Sequence, residues 1–188
     1  MKRFWLTLAV ALSVASPSLA HAPGKLDANA AFVVSNPKIS LALFGLFVTG
    51  AERFVIRLSF DERFATTAEM LVPHQAPLRD HRPAFAVVGP GLPPPNAAEL
   101  AALPEPLPAG FGAIVELNDQ SPRVALFESI MRRVYWTSGA LAVVFPKGDL
   151  EIWVWSPAGT KGKFCLGYGI EEGGGYMAAF EDWSFYEY

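Results

Sequence analysis

Cysteine is almost absent from this chain of 188 residues, which contains one, Cys165. A single cysteine cannot form an internal disulfide, so the folded state has to be stabilised by packing. Basic residues are also sparse: 15 Lys and Arg stand against 18 Asp and Glu, and they form no dense basic block. This balance argues against nucleic acid as a partner.

Long apolar runs are missing after residue 20, so the sequence predicts no membrane-spanning segment in that part. The first 20 residues have another pattern, in which Lys2 and Arg3 precede an apolar run and then small residues ending at Ala20. That order is typical of a secretory signal peptide. We expect cleavage after Ala20, with cleavage after Ala22 as the alternative. The mature protein, residues 21–188, is then a single domain in the periplasm or outside the cell.

Short alternating runs separated by Gly and Pro turns dominate the rest of the chain. In residues 53–60, for example, Phe54 and Ile56 fall on one face while Arg53 and Arg57 fall on the other. Such a period of two is typical of a half-buried strand. Nine runs of this kind are found, at 41–47, 53–60, 67–72, 84–88, 112–117, 123–127, 141–145, 151–155 and 163–169. The fold class predicted is all-β, an antiparallel β-sandwich or jelly roll of about nine short strands.

Two segments depart from this rhythm. Residues 89–110 contain seven prolines, with a short helical stretch after Asn96, and are predicted to be a stiff crossing loop. The second segment begins at the three glycines 173–175 and is rich in aromatic residues. Because a free tail is usually polar, this short aromatic C-terminal tail is predicted to dock on the body of the domain.

A set of turn and strand motifs resembles a known group of proteins. The motifs include Asn36-Pro37-Lys38-Ile39-Ser40, Ile152-Trp153-Val154-Trp155 and Gly162-Lys163-Phe164-Cys165-Leu166-Gly167-Tyr168-Gly169. Together they resemble exported β-sandwich proteins of uncharacterised function, similar to bacterial pre-peptidase C-terminal-like domains. The resemblance implies the fold, and it assigns no catalytic residue.

The three histidines are His21, His74 and His81, of which the last two share one polar stretch. Cleavage after Ala20 would give His21 a free amine beside its imidazole. Amine and imidazole nitrogens suit copper, so one hypothesis is a copper site formed by these three histidines. The alternative is that the two loop histidines are simply solvated, and that the protein has no cofactor.

Tryptophan is the other residue with binding potential. Trp153 and Trp155 share one strand face, and with Trp136 and Trp183 they are predicted to form an aromatic platform on which a ligand stacks. The alternative is that the two tryptophans on one strand belong to the core, because large aromatic residues are usually buried.

Catalytic motifs are lacking. No Gly-x-Ser-x-Gly nucleophile elbow occurs, and the neighbouring acids Asp149 and Glu151 fit solvated turn charges as well as an acid–base pair. The sequence therefore favours an exported, noncatalytic accessory or binding module that recognises a protein or a cell-envelope component. The alternatives are a periplasmic copper-binding protein that uses a mature N-terminal histidine, and a hydrolase with an unrecognised site.

Overall fold

A computed structural model describes residues 22–118, 121–128 and 132–171. This part of the chain forms strands in two sheets and one short α-helix, which confirms the predicted all-β sandwich. The strands are β1 (Ala22–Lys25), β2 (Phe32–Val33), β3 (Leu41–Phe47), β4 (Arg53–Phe60), β5 (Phe64–Pro73), β6 (Ala84–Pro90), β7 (Phe111–Glu116), β8 (Val124–Glu128), β9 (Arg133–Thr137), β10 (Leu141–Phe145), β11 (Gly148–Trp155) and β12 (Gly162–Tyr168). All nine predicted strands are present, and β1, β2 and β9 are additional. The predicted leader, His21 and the aromatic tail lie outside the described residues.

The larger sheet has the strand order β1-β3-β12-β5-β9-β8. Strand β10 also belongs to this sheet, and it lies on the same side of β5 as β9 does. It pairs with the first half of β5, whereas β9 pairs with the last three residues. The smaller sheet has the order β2-β4-β11-β6-β7. Most pairs are antiparallel, as predicted, but β1 pairs with β3 and β2 pairs with β4 in parallel. These two parallel pairs arise because the chain passes from the edge of one sheet to the edge of the other before it forms the central strands.

The main core lies between the two sheets and follows from the alternation along each strand. On β4, Phe54 and Ile56 are buried between the sheets, and on β12 the rings of Phe164 and Tyr168 meet them from the opposite side. Phe54 and Phe164 make an edge contact with ring centroids 5.1 Å apart. This inner face is apolar on both sheets, so it leaves the charged residues of β4 on the outer face.

A second apolar cluster covers part of that outer face. Residues 91–110, here called the crossing segment, run over the five-stranded sheet and carry helix α1 (Ala97–Ala102). Asn96 caps α1 by accepting hydrogen bonds from the backbone N–H groups of Ala98 and Glu99, and the Glu99 side chain bonds back to Asn96, as in a capping box. The cluster contains Trp153 and Trp155 of β11, together with Leu103 and Leu107 of the crossing segment. The predicted crossing loop with its short capped helix is thus confirmed.

In the described ranges, no helix has the length and apolar character needed to cross a membrane.

Candidate ligand-binding groove

The remainder of the outer face of the five-stranded sheet is a groove that follows β4 and β11. It consists of two adjoining hollows of about 700 and 410 Å³, both of which are lined by Arg57 and Glu151. Four cross-strand pairs face outwards along it: Ser59 with Asp149, Arg57 with Glu151, Val55 with Trp153, and Arg53 with Trp155. At about 3.3 Å per residue, this row extends for roughly 20 Å. We call it the polar groove and take its polar members to be Arg53, Arg57, Ser59, Glu105, Asp149 and Glu151.

Donors and acceptors alternate along the polar groove in fixed pairs. Arg57 Nε lies 3.1 Å from Glu151 Oε1, and Ser59 Oγ donates a hydrogen bond of 2.6 Å to Asp149 Oδ1. The Arg57 side chain is 61% exposed and that of Glu151 is 30% exposed, so much of this pair remains open to a ligand. Pairing across the strands follows from the register, which places Arg57 directly opposite Glu151.

A second ion pair ties the groove to the crossing segment. Arg53 Nη1 lies 2.5 Å from Glu105 Oε1, and both side chains remain partly exposed. Glu105 is 52 residues away in sequence, so this contact depends on how the crossing segment folds over the sheet. The pair forms one wall of the larger hollow.

Trp153 contacts one residue of each ion pair. Its Nε1 donates a hydrogen bond of 2.7 Å to Glu151 Oε2, and the Arg53 guanidinium lies 5.2 Å from the centre of its ring. Trp153 is only 1% exposed. It therefore acts as a positioning residue for Glu151 and Arg53, because it holds their side chains while remaining out of reach of solvent.

Glu52 lies at the end of the larger hollow and closes the turn between β3 and β4. Its carboxylate accepts hydrogen bonds from the backbone N–H groups of Val48, Thr49 and Gly50. Desolvation acts to raise the pKa of Glu52, but the hydrogen bonds from the turn outweigh it and lower the pKa to about 2. Glu52 is therefore charged near neutral pH, and its hydrogen bonds hold the turn that forms this end of the hollow.

The groove lies over the face of the sheet and not along an open edge. β11 pairs with β4 and β6, and β4 pairs with β11 along its whole length, but on its other side β4 pairs with β2 only at Ile56 and Arg57. The outward-facing side chains are therefore the main groups offered to a ligand there. Guanidinium donors and carboxylate acceptors are present in similar number, so this surface suits a ligand whose groups both donate and accept.

The predicted aromatic platform needs correction. Trp153 and Trp155 do share a face, but the crossing segment covers them and they are 1% and 5% exposed. Trp136 is in the other sheet, on β9, and Trp183 lies outside the described residues. A ligand cannot stack on buried rings, so Trp153 and Trp155 do not form the stacking surface expected of them, and the alternative that they belong to a core is the one observed. Alternation shows which side chains share a face, and it does not show what covers that face.

The predicted copper ligands occupy different environments. His74 is exposed and its ring stacks on Trp136, with centroids 3.8 Å apart. His81 is buried, and its Nδ1 lies 2.8 Å from Thr160 Oγ1. Burial, together with the nearby charge of Arg123, lowers the pKa of His81 to about 4. The part of the chain that the structure describes contains no group of three or more His, Cys, Asp or Glu side chains placed to hold a metal ion. Since His21 is outside that part, the copper site stays a prediction.

Sequence reasoning missed the groove as a site, although part of its signal was present. The alternation in residues 53–60 places Arg53, Arg57 and Ser59 on the face opposite the core, and Asp149 and Glu151 stand out as neighbouring acids. The missing information was the register between β4 and β11, which brings the two sets together. No local pattern points to Glu105.

Comparison with known proteins adds little to this geometry. No family model matches the sequence, and no curated protein matches it at a significant level. Among solved structures, the chain is similar to CBM27-1 of Caldicellulosiruptor saccharolyticus, whose crystal structure is in complex with mannohexaose. The match has 14% identity and a TM-score of 0.34, and covers 76% of this chain and 72% of the other. Values this low support no inference about ligands. The resemblance to pre-peptidase C-terminal-like domains stays a prediction.

Proposed function

We propose that this protein is a noncatalytic binding module and that its polar groove holds an uncharged, hydroxyl-rich chain, such as a glycan of the cell envelope. One observation carries the proposal: the outward row on β4 and β11 pairs Ser59 with Asp149 and Arg57 with Glu151 above two adjoining hollows.

Hydroxyl groups match this row because each one both donates and accepts a hydrogen bond. A carboxylate accepts from a hydroxyl, and a guanidinium donates to the same or a neighbouring hydroxyl. Hydrogen bonds to charged groups contribute more than those between neutral groups, about 1.5–3 kcal/mol each. A few such contacts along roughly 20 Å of groove suffice for a ligand of several sugar units.

Charge disfavours a polyanion as the ligand. The polar groove contains two arginines, Arg53 and Arg57, and three acids, Glu105, Asp149 and Glu151. These acids repel a phosphate or sulfate chain at close range. A neutral ligand meets no such penalty.

Position disfavours an extended peptide as the ligand. Peptides that join a sheet pair with the free backbone groups of an edge strand. The groove lies over β4 and β11; β11 pairs with β4 and β6, and the other side of β4 pairs with β2 at Ile56 and Arg57, in the middle of the strand. This leaves no continuous free edge along the groove with which an extended peptide could pair, so recognition there depends mainly on side chains.

The state of Glu151 supports binding without catalysis. Its two carboxylate oxygens accept from Arg57 and Trp153, so the structure uses it as an acceptor fixed in place. The predicted export of the protein agrees with an envelope ligand, because an exported module meets the glycans of the envelope.

Isothermal titration calorimetry against linear neutral hexasaccharides of gluco, manno and xylo configuration tests the proposal. At least one of them should bind, and Arg57→Ala should weaken that binding about tenfold or more, since one charged hydrogen-bonding group is lost. Arg63→Ala is the matched control, because Arg63 is an exposed arginine on the turn after β4 and outside the groove. It should bind as the unchanged protein does.

Heparin serves as the polyanion in the same titration and should not compete with the bound sugar. The proposal is wrong if none of the neutral sugars binds, or if Arg57→Ala and Arg63→Ala bind the active sugar equally well.

A further inference from the structure

Three residues that line one small cavity at an end of the sandwich each have a buried nitrogen atom without a hydrogen-bond partner in the described part of the chain. These atoms are His81 Nε2, Arg123 Nη2 and Trp136 Nε1. The cavity has a volume of about 10 Å³, and its wall also includes Met70 of β5. That volume is enough for one water-sized occupant. Unpaired buried polar atoms are rare and costly, so a shared cavity for three of them indicates an occupant.

Donor character is common to this set. The arginine and indole nitrogens can only donate. His81 is neutral near pH 7, since burial and the charge of Arg123 lower its pKa to about 4. When the Thr160 hydroxyl donates to His81 Nδ1, at 2.8 Å, the proton of the imidazole is on Nε2. All three residues then contribute an unused N–H donor at the wall of the cavity.

Positive charge accumulates around the cavity. Arg82 and Arg123 both line it, and none of the described residues that line it is an Asp or Glu. Arg123 Nη1 donates to the carbonyl oxygens of Arg79 and His81, and Arg82 Nη1 donates to those of Asn118 and Ser121. These neutral carbonyls do not cancel the two charges.

The pKa of Arg123 also responds to the positive charge around the cavity. Burial and the charge of Arg82 lower the pKa of Arg123 to about 10, and the charge of Asp80 partly opposes this. Within the described ranges, neither Arg82 nor Arg123 forms an ion pair. A negative charge in the cavity would relieve the repulsion between them.

An anion fits this environment better than water does. A water molecule would accept from the donors but would also need acceptors for its own two protons. It would also leave the charges of Arg82 and Arg123 uncompensated, because their hydrogen bonds go to neutral carbonyl oxygens, whereas an anion accepts from the same donors and balances that charge. We propose that the cavity lined by His81, Arg123 and Trp136 is a binding site for one monatomic anion, with chloride as its natural occupant.

Thermal unfolding in sodium chloride and in sodium gluconate at equal ionic strength tests the site. Chloride should raise the Tm in a saturable manner, by roughly 5 °C at a hundredfold excess over its Kd. Arg123→Met should abolish this increment. Arg63→Met, which removes an exposed arginine on the turn after β4, outside both the groove and the cavity, should keep it. Equal Tm values in the two salts for the unchanged protein would overturn the proposal.

Crystals grown in sodium bromide give a second measurement that needs no variant. An anomalous peak in the cavity, bonded to His81, Arg123 and Trp136, together with the chloride-dependent Tm, establishes the site. Density without an anomalous peak identifies a buried water and overturns the proposal. A bromide peak without any effect of chloride on Tm shows binding at crystal concentration only, and this also counts against it.

Discussion

The positive charges of two pairs of arginines in this protein have different kinds of partner. Arg53 and Arg57 lie in the polar groove, where Glu105 and Glu151 pair with them and solvent reaches the side chains. Arg82 and Arg123 lie at the end of the sandwich, where backbone carbonyls accept their hydrogen bonds. The groove is thus close to neutral and rich in both donors and acceptors, whereas the end cavity has donors and excess positive charge. The same side chain therefore serves two kinds of recognition, one suited to hydroxyl groups and one suited to a small anion.

The largest expected loss of stability comes from replacing Trp153, which lies beneath the groove arginine Arg53 and its neighbour Glu151. Trp153→Ala should lower the free energy of unfolding by about 3–5 kcal/mol, because it removes a large, fully buried side chain under the crossing segment. It also releases Glu151 and Arg53. Urea unfolding monitored by circular dichroism measures this loss. Val33→Ala, at an exposed apolar position, is the control and should change stability by less than about 0.5 kcal/mol. A similar loss in both variants would contradict the role given to Trp153.

The two kinds of arginine should differ directly in their contribution to stability. Arg123→Met should cost about 2–3 kcal/mol, since it removes two charged hydrogen bonds, an exposed one to the carbonyl of Arg79 and a partly buried one to that of His81. Arg57→Met removes an exposed ion pair and should cost less than about 1 kcal/mol. Urea unfolding of the two variants in one buffer makes the comparison. Equal losses would show that carbonyl and carboxylate partners stabilise these arginines alike.

Acid should destabilise the protein through the buried His81 at the end cavity. The pKa of His81 is about 4 in the folded state, whereas an unfolded histidine titrates near about 6.5. Between these values the unfolded chain binds the proton and the folded chain does not, so stability falls as the pH falls through this window. We expect a loss of about 2 kcal/mol from this group. Unfolding curves between pH 7 and pH 4 measure it.

His81→Gln should remove that part of the pH dependence. His74→Gln, which changes an exposed histidine, should leave it intact. The assignment fails if both variants keep the slope of the unchanged protein.

The smallest effect concerns the anchor of the crossing segment. Asn96→Ala should cost about 1 kcal/mol, because it removes the cap of α1 and two hydrogen bonds to backbone N–H groups. Glu105 follows three residues after α1, so the variant should also weaken sugar binding slightly through Arg53. Unfolding and calorimetry on one preparation check both effects. Ala102→Gly, at the other end of α1, is a control that lowers helix propensity without touching the cap.

Alternation along β4 was sufficient to predict the strand 53–60 with both of its ends, and its inner and outer faces. The preference of asparagine for helix N-caps identified the short helix after Asn96, because capping is a local property of the chain. Alternation failed for β1 and β2, which are too short to show a period, and it missed β9 although Tyr135 and Thr137 are buried there and Val134 is exposed. It left the burial of Trp153 and Trp155 as one of two alternatives, and burial is what the structure shows, because a separate segment covers them.

The sequence by itself determined the class of fold and the division of β4 into an apolar and a charged face, because both follow from side chains that alternate over neighbouring residues. The tertiary structure alone decided which distant groups meet. It placed Glu105 beside Arg53 and Glu151 opposite Arg57, and it brought His81, Arg123 and Trp136 together at one cavity. The physical reason is that register between strands and the path of a crossing loop are set by the packing of the whole chain. Local preference of the backbone carries no record of either.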